Sequence, residues 1–308
     1  MIFPVALFRT ITMPGLTRYP AHGTECRYSF IFRKSLMSRL TLAEAAKRAL
    51  LTADATEKAD VTAEMAAMWR NGEITEVGST DLPDRPGRPA KPELLPPNKM
   101  PKRKKGSVQG RIGLLHALAH IELNAIDLAW DLCVRFPEAD MPKHFHDAWV
   151  QVADDEARHF KMINKRLGEM DAAYGDLPAH DGLWQTSMDT AYDILPRLAV
   201  VPMVFEARGL DATPPTIERL LSHGDTESAR ILKIIAHDEI AHVAAGRKYY
   251  EYVCDQRSLP YYTTWHDMLR KHFRGPLKPP FNDEARYEAG MPPDYYQDYV
   301  LELPGEDE

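Results

Sequence analysis

The chain has little cysteine: Cys26, Cys133 and Cys254, far apart in 308 residues and with no CxxC pair. That scarcity excludes a disulfide framework and a thiolate zinc site, and a reducing cytoplasm suits such a chain. An excess of positive charge is missing too, since 38 basic against 45 acidic residues leave a formal charge of -7. Without it there is no general attraction to phosphate backbones or anionic lipid, so general nucleic-acid binding is not expected. No apolar run escapes interruption by charge for the roughly 18 to 20 residues of a membrane span, and no membrane association is expected. Strand patterning is also lacking, because no segment alternates apolar and polar residues for long enough.

What is present is a chain with 44% apolar and 27% charged side chains, enough to bury a sizeable core in one principal domain with appendages. Residues 1–40 carry six Arg or Lys and one acid, Glu25. They read either as a targeting extension or as an over-extended start, with Met37 as the true first residue. Residues 41–77 read as one or two N-terminal helices, rich in Ala, Glu, Lys and Leu. Residues 78–110 hold seven prolines, too many for a helix or a central strand, and form an extended arm laid on the domain surface. The basic run Lys102 to Lys105 at its end reads as a solvated turn.

Residues 111–258 predict four long helices. The first runs from about Gly110 to Val134 and the second from about Pro142 to Met170. The third runs from near Leu183 to Gly209, a helix-stop residue by type, and the fourth follows Pro214-Pro215 and continues through Val253. Pro196 and Pro202 predict kinks in the third helix, the latter one turn before Glu206. Residues 259–308, rich in proline and aromatics, read as a wrapping tail with a fraying acidic end.

Chemistry concentrates in these helices. Glu122 and Glu206 each follow a largely apolar stretch, and burying an ionised carboxylate costs several kcal/mol unless it is partnered. Partners are offered by Asp155-Glu156-Ala157-Arg158-His159 and Asp238-Glu239-Ile240-Ala241-His242. Glu three residues before His lies on the same helical face, so one metal ion can touch both. Of the twelve histidines, only His159 and His242 have Glu in that position. The halves repeat: 34 residues separate Glu122 from Glu156 and 33 separate Glu206 from Glu239, and each lone Glu is followed five residues later by aspartate, Asp127 and Asp211. The chain reads as a duplicated helix pair of the kind that builds di-iron and di-manganese carboxylate bundles, a ferritin-like four-helix bundle. The expected ligands are Glu122, Glu156, His159, Glu206, Glu239 and His242, with Glu156 and Glu239 shared between the ions. Asp155 and Asp238 are placed to accept an imidazole N–H. The bland alternative is a bundle whose Glu and His form ordinary ion pairs. His116, His120 and Trp149 are assigned to the core or surface, since His120 points about 200° away from Glu122 around the helix.

Ala119-His120-Ile121-Glu122, Ala153-Asp154-Asp155-Glu156-Ala157-Arg158-His159-Phe160 and Leu177-Pro178-Ala179-His180-Asp181-Gly182-Leu183-Trp184 resemble the domain-of-unknown-function 455 family within the ferritin-like superfamily, over about Leu40 to Arg286. No activity comes with that family. The order of the six candidate ligands is more distantly similar to that of the di-iron tRNA-modifying hydroxylase, a likeness confined to those positions, so its substrate does not transfer. The function expected is an oxygen-dependent di-iron oxidoreductase, a hydroxylase or oxidase, using dioxygen, an organic substrate and an electron donor. A ferroxidase or iron-handling protein, and a metal-stabilised interaction protein, are the alternatives. Manganese could replace iron in such a donor set. A monomer or small oligomer is expected.

Overall fold

Thr41 accepts a hydrogen bond from the Glu44 amide while Glu44 answers to the Thr41 amide, a reciprocal cap that opens the first helix. In the computed structural model, which describes residues 40–101, 106–273 and 275–302, that helix is α1 (Leu42–Leu51). Asp54 then caps α2 (Ala55–Arg70) by accepting from the Thr56 and Glu57 amides. The predicted N-terminal helical segment is therefore a pair. The extension before residue 40, the Lys102–Lys105 run and the acidic end lie outside the described residues.

The proline-rich segment has no helix from residue 78 to 96, then one 3-10 turn at Pro97–Lys99, and a long helix already begins at Val108; its backbone polar groups go to its neighbours. Just before it, the Glu76 and Val77 carbonyls accept from the Leu42 and Ala43 amides, and within it the Gly87 amide donates to the Leu50 carbonyl at 2.7 Å. A Cβ at Gly87 would lie 2.4 Å from the Leu51 carbonyl oxygen, so only glycine lets the arm approach this closely. Further on, the arm pairs with residues 177–180 through an isolated bridge between Leu94 and Ala179. No strand forms among the described residues.

The rest is an all-α helical bundle. Ser107 caps α3 (Val108–Val134), which pairs with α4 (Lys143–Gly168) as one hairpin. Beyond α5 (Gly182–Asp189), a continuous rod made of α6 (Ile194–Val200), a wide-turned π segment (Val201–Glu206) and α7 (Ala207–Ser222) pairs with α8 (Thr226–Gln256) as the second hairpin. The hairpins meet through α4 and α8. α3 is long and apolar enough to cross a membrane by length and composition, but 67% of that stretch is buried within the bundle. Its apolarity serves the core, with α1 and α4 covering it.

The third and fourth helices differ from the sequence expectation. The third is not continuous from Leu183: α5 ends at Asp189, and Asp193 caps a new start by accepting from the Leu195 amide. The third helix does not stop at Gly209, which lies inside α7; the stop is Gly224, at φ 74°, followed by the Asp225 cap of α8. Pro214 and Pro215 do not start the fourth helix but sit within α7. Pro214 lacks the amide that would reach the Leu210 carbonyl, and the Asn282 side chain donates there instead, at 3.1 Å. Pro196 makes no kink, because it falls in the first turn of α6, where an amide has no helical partner anyway. Pro202 does mark an irregularity, the π segment, in which the Ala207 amide reaches back five residues to the Pro202 carbonyl.

The tail is more helical than its composition suggests: α9 (Tyr261–His272), α10 (Asp283–Glu288) and α11 (Pro293–Glu302). α9 packs on α6 and α11 on α9, while α10 packs on α7 and α8. The two aspartates of the sequence repeat hold these appendages. Buried Asp127 pairs with Lys58 of α2 and, at 3.1 Å, with Arg88 of the arm. Buried Asp211 takes a two-pronged bond from Arg286 of α10, at 2.9 and 2.7 Å.

Candidate metal centre

Glu122 projects from the middle of α3, Glu156 and His159 from α4, Glu206 from the end of the π segment, and Glu239 and His242 from α8. The fold brings all six together in two overlapping clusters. Glu122, Glu156, His159 and Glu239 form one, and Glu156, Glu206, Glu239 and His242 the other, each with ligand atoms within 4.8 Å of one another. Glu156 and Glu239 belong to both. His159 Nδ1 lies 3.3 Å from Glu122 and 3.4 Å from Glu156, and His242 Nδ1 lies 3.0 Å from Glu156 and 3.4 Å from Glu239.

The outward ring nitrogens are held in a crossed pattern that the sequence did not announce. His159 of α4 turns Nε2 to Asp238 of α8 at a hydrogen-bonding 3.0 Å, and His242 of α8 turns Nε2 toward Asp155 of α4 at 3.5 Å without closing a hydrogen bond. With its Nε2 proton facing an aspartate, each imidazole presents an unprotonated Nδ1 when neutral. Arg158 Nη2 donates to both aspartates, at 2.9 and 2.7 Å, tying the two supports together. In the second half Ala241 stands where Arg158 stands in the first, so the repeat gave no sign of it.

Ordinary ion pairing does not account for this cluster. Glu122 Oε2, both oxygens of Glu156, Glu239 Oε2 and the Nδ1 atoms of His159 and His242 are buried without a hydrogen-bond partner among the described residues. Buried polar atoms are almost always satisfied, and here a whole set converges unsatisfied on one place. Charge gives the same message. Burial, then the charge of Glu156, pushes Glu122 well above the usual carboxylate range, and burial, then Glu239 and Glu156, does the same to Glu206. Burial opposes charge on the imidazoles, yet Glu122 and Glu156 raise His159 to about 11, and the carboxylates around His242, Glu239 foremost, raise it well above its ordinary value. Glu156, against its own burial, is held low by the two imidazoles. Without cations the centre must hold protons. Four carboxylates match the charge of two divalent ions, and hard oxygen donors with one imidazole per cluster suit such ions.

An apolar cavity of about 340 Å³ opens beside the cluster, and Glu122, Glu156, Glu206 and Glu239 all contribute to its wall. His116 and His120 have structural partners. His116 Nε2 accepts from the Gly175 amide at 2.9 Å, and His120 contacts the Tyr174 hydroxyl and the His180 carbonyl, at 2.8 and 3.0 Å, which pins the loop after α4. Trp149 is buried in the core against Phe145.

The fold and site together define an all-α protein with a buried carboxylate and histidine cluster able to hold metal. Residues 51–297 match the family described as Protein of unknown function (DUF455), and the chain belongs to it. It is similar to a protein of Haemophilus influenzae described as an uncharacterized protein, 39% identical over 208 residues that cover 66% of this chain and 72% of that one. No solved structure matches the chain.

Proposed function

We propose that the chain is a carboxylate-bridged di-iron protein that uses dioxygen to oxidise an organic substrate held beside the centre. One Glu from each of two helices and a Glu-x-x-His from each of the other two is the donor pattern of di-iron and di-manganese carboxylate bundles. His159 with Glu122 would serve one ion and His242 with Glu206 the other, Glu156 and Glu239 being common to both. When bound, the iron pair supplies the electrons that begin the reduction of dioxygen. In a hydroxylation, one oxygen atom enters a C–H bond and the other leaves as water, with two electrons from a donor and two protons. An oxidase would send both oxygen atoms to water or peroxide.

The chain's own part is to bind, orient and exclude water. Asp155, Asp238 and Arg158 fix the imidazoles, and the helices around the cluster keep its donors out of solvent. The observation that carries the oxidoreductase reading over iron storage is the apolar cavity at the carboxylates: a route for iron calls for polar walls, whereas this wall suits a largely apolar organic molecule. Mössbauer spectroscopy with elemental analysis should find a coupled iron pair per chain. Stopped-flow oxidation at rising iron-to-protein ratios should stop after one pair until an electron donor is added, with the protein eluting as a monomer or dimer. Turnover far beyond one pair, with an iron core in a large particle, would establish a ferroxidase instead.

A further inference from the structure

The cavity beside the cluster is apolar along most of its wall, where α3 contributes Leu114, Leu118, Ile121 and Leu128 and α8 contributes Leu232 and Ile235. Ile121 is 47% exposed, so apolar surface continues outward to solvent. One cation lines the cavity: Arg208, exposed on α7, in the turn after Glu206. Among the described residues no carboxylate pairs with it. Its Nη1 donates to the Lys278 backbone carbonyl at 2.9 Å, which ties the side chain to the tail and leaves the other guanidinium donors unassigned. Thr213 and Thr216, on the same helix, add hydroxyls to the lining. Arg208 and Phe205 also line a second cavity, of about 300 Å³, between α7 and the tail. Arg208 is therefore set where the two hollows adjoin.

An unpaired guanidinium against an otherwise apolar lining defines a ligand with two unlike ends. Oily side chains take a hydrocarbon body, and Arg gives a carboxylate or phosphate a planar, charge-assisted partner. The centre, with four carboxylates balanced by two divalent ions, offers an acid no net positive charge, whereas Arg208 does, so the acid group belongs at Arg208 and the hydrocarbon points inward. At the roughly 30 Å³ that a water-sized group occupies in a liquid, the space holds on the order of ten such groups. Resting on the oxidoreductase reading above, we propose that the substrate is an apolar acid of about this size, anchored by its anionic head on Arg208 with its hydrocarbon end toward Glu122 and Glu206.

Calorimetric titration of the full-length protein with decanoate, decyl phosphate and 1-decanol tests this, with metal content measured on the same samples. Decanoate or decyl phosphate should bind about tenfold or more tightly than 1-decanol, a charge-assisted anchor being worth at least that. The acid that binds better identifies the head group. Arg208→Gln should lower binding of that acid by about the same factor and leave 1-decanol unchanged, while Arg208→Lys restores part of it. Ala125→Trp, which fills the cavity, should abolish binding of all three probes while circular dichroism reports a folded bundle. Equal binding of acid and alcohol, or acid binding that Arg208→Gln does not alter, would overturn the proposal, the latter by placing the head on the metal ions. No binding of any probe would overturn it as well. Metal content separates the two readings: a lone zinc with Arg208-dependent acid binding removes the di-iron function and keeps the ligand, whereas a coupled iron pair without that binding does the reverse.

Discussion

His159 and His242 each lean on an aspartate of the opposite helix, so each cluster depends on both hairpins. Asp238→Asn should weaken the ion held with His159 and Asp155→Asn the ion held with His242, each by about 10- to 100-fold, the usual effect of losing such a support. Mössbauer spectra of the two variants should show different members of the iron pair perturbed; an identical change in both would refute the crossed arrangement. A second consequence concerns protons. Glu122, Glu206, His159 and His242 are all shifted upward, which favours their protonated forms when no metal is bound. Their ligand atoms must lose those protons to bind an ion, so metal uptake should release protons and affinity should rise with pH. Calorimetry in buffers of differing ionisation enthalpy reads the release directly; affinity that falls as pH rises would contradict it. The six candidate ligands were legible because Asp-Glu-x-x-His occurs twice and the lone glutamates repeat at matching spacing. Arg158 was not, since a residue that serves both halves from one side leaves no repeat to find.

The four long rods of the bundle could be read from apolar periodicity, but the ends of the third and fourth could not. Gly209 and Pro214-Pro215 are punctuation by type, yet α7 runs through them, because tertiary contacts outweigh local preference there. Asn282, some seventy residues away, supplies the donor that Pro214 lacks, and nothing local could reveal that. The π segment also has a counterpart distant in sequence: a Cβ on Gly246 of α8 would lie 2.3 Å from the Pro202 ring. Gly246→Ala must therefore push α8 and the segment apart. Urea unfolding should show a loss of about 1 to 3 kcal/mol, typical of overpacking a tight interface. Since Glu206 ends that segment, metal occupancy should fall in the same variant. Full stability would mean that the close approach is not a constraint.

At the scale of the whole molecule, the duplication extends beyond the metal centre. Asp127 and Asp211, five residues after Glu122 and Glu206, hold the N-terminal pair and arm on one half and the tail on the other. The spacing was visible in the sequence, but its purpose was not, because Lys58, Arg88 and Arg286 lie outside the repeat. Arg286→Ala would strand Asp211, 7% exposed, without its partner. A loss of about 3 to 5 kcal/mol is expected in chemical denaturation, the cost of an unpaired buried charge. Replacing both members by well-packed apolar residues should recover much of it.

These anchors also govern how far the chain can be trimmed. The helices that supply every candidate ligand fall within residues 108–256, which makes that stretch look like a minimal metalloprotein. Cut there, it would lose Lys58 and Arg286 together and leave an uncompensated acid in the interior of each half. The smallest autonomous unit must begin before α2 and end after α10, so anyone seeking a miniature of this centre must carry both clasps along.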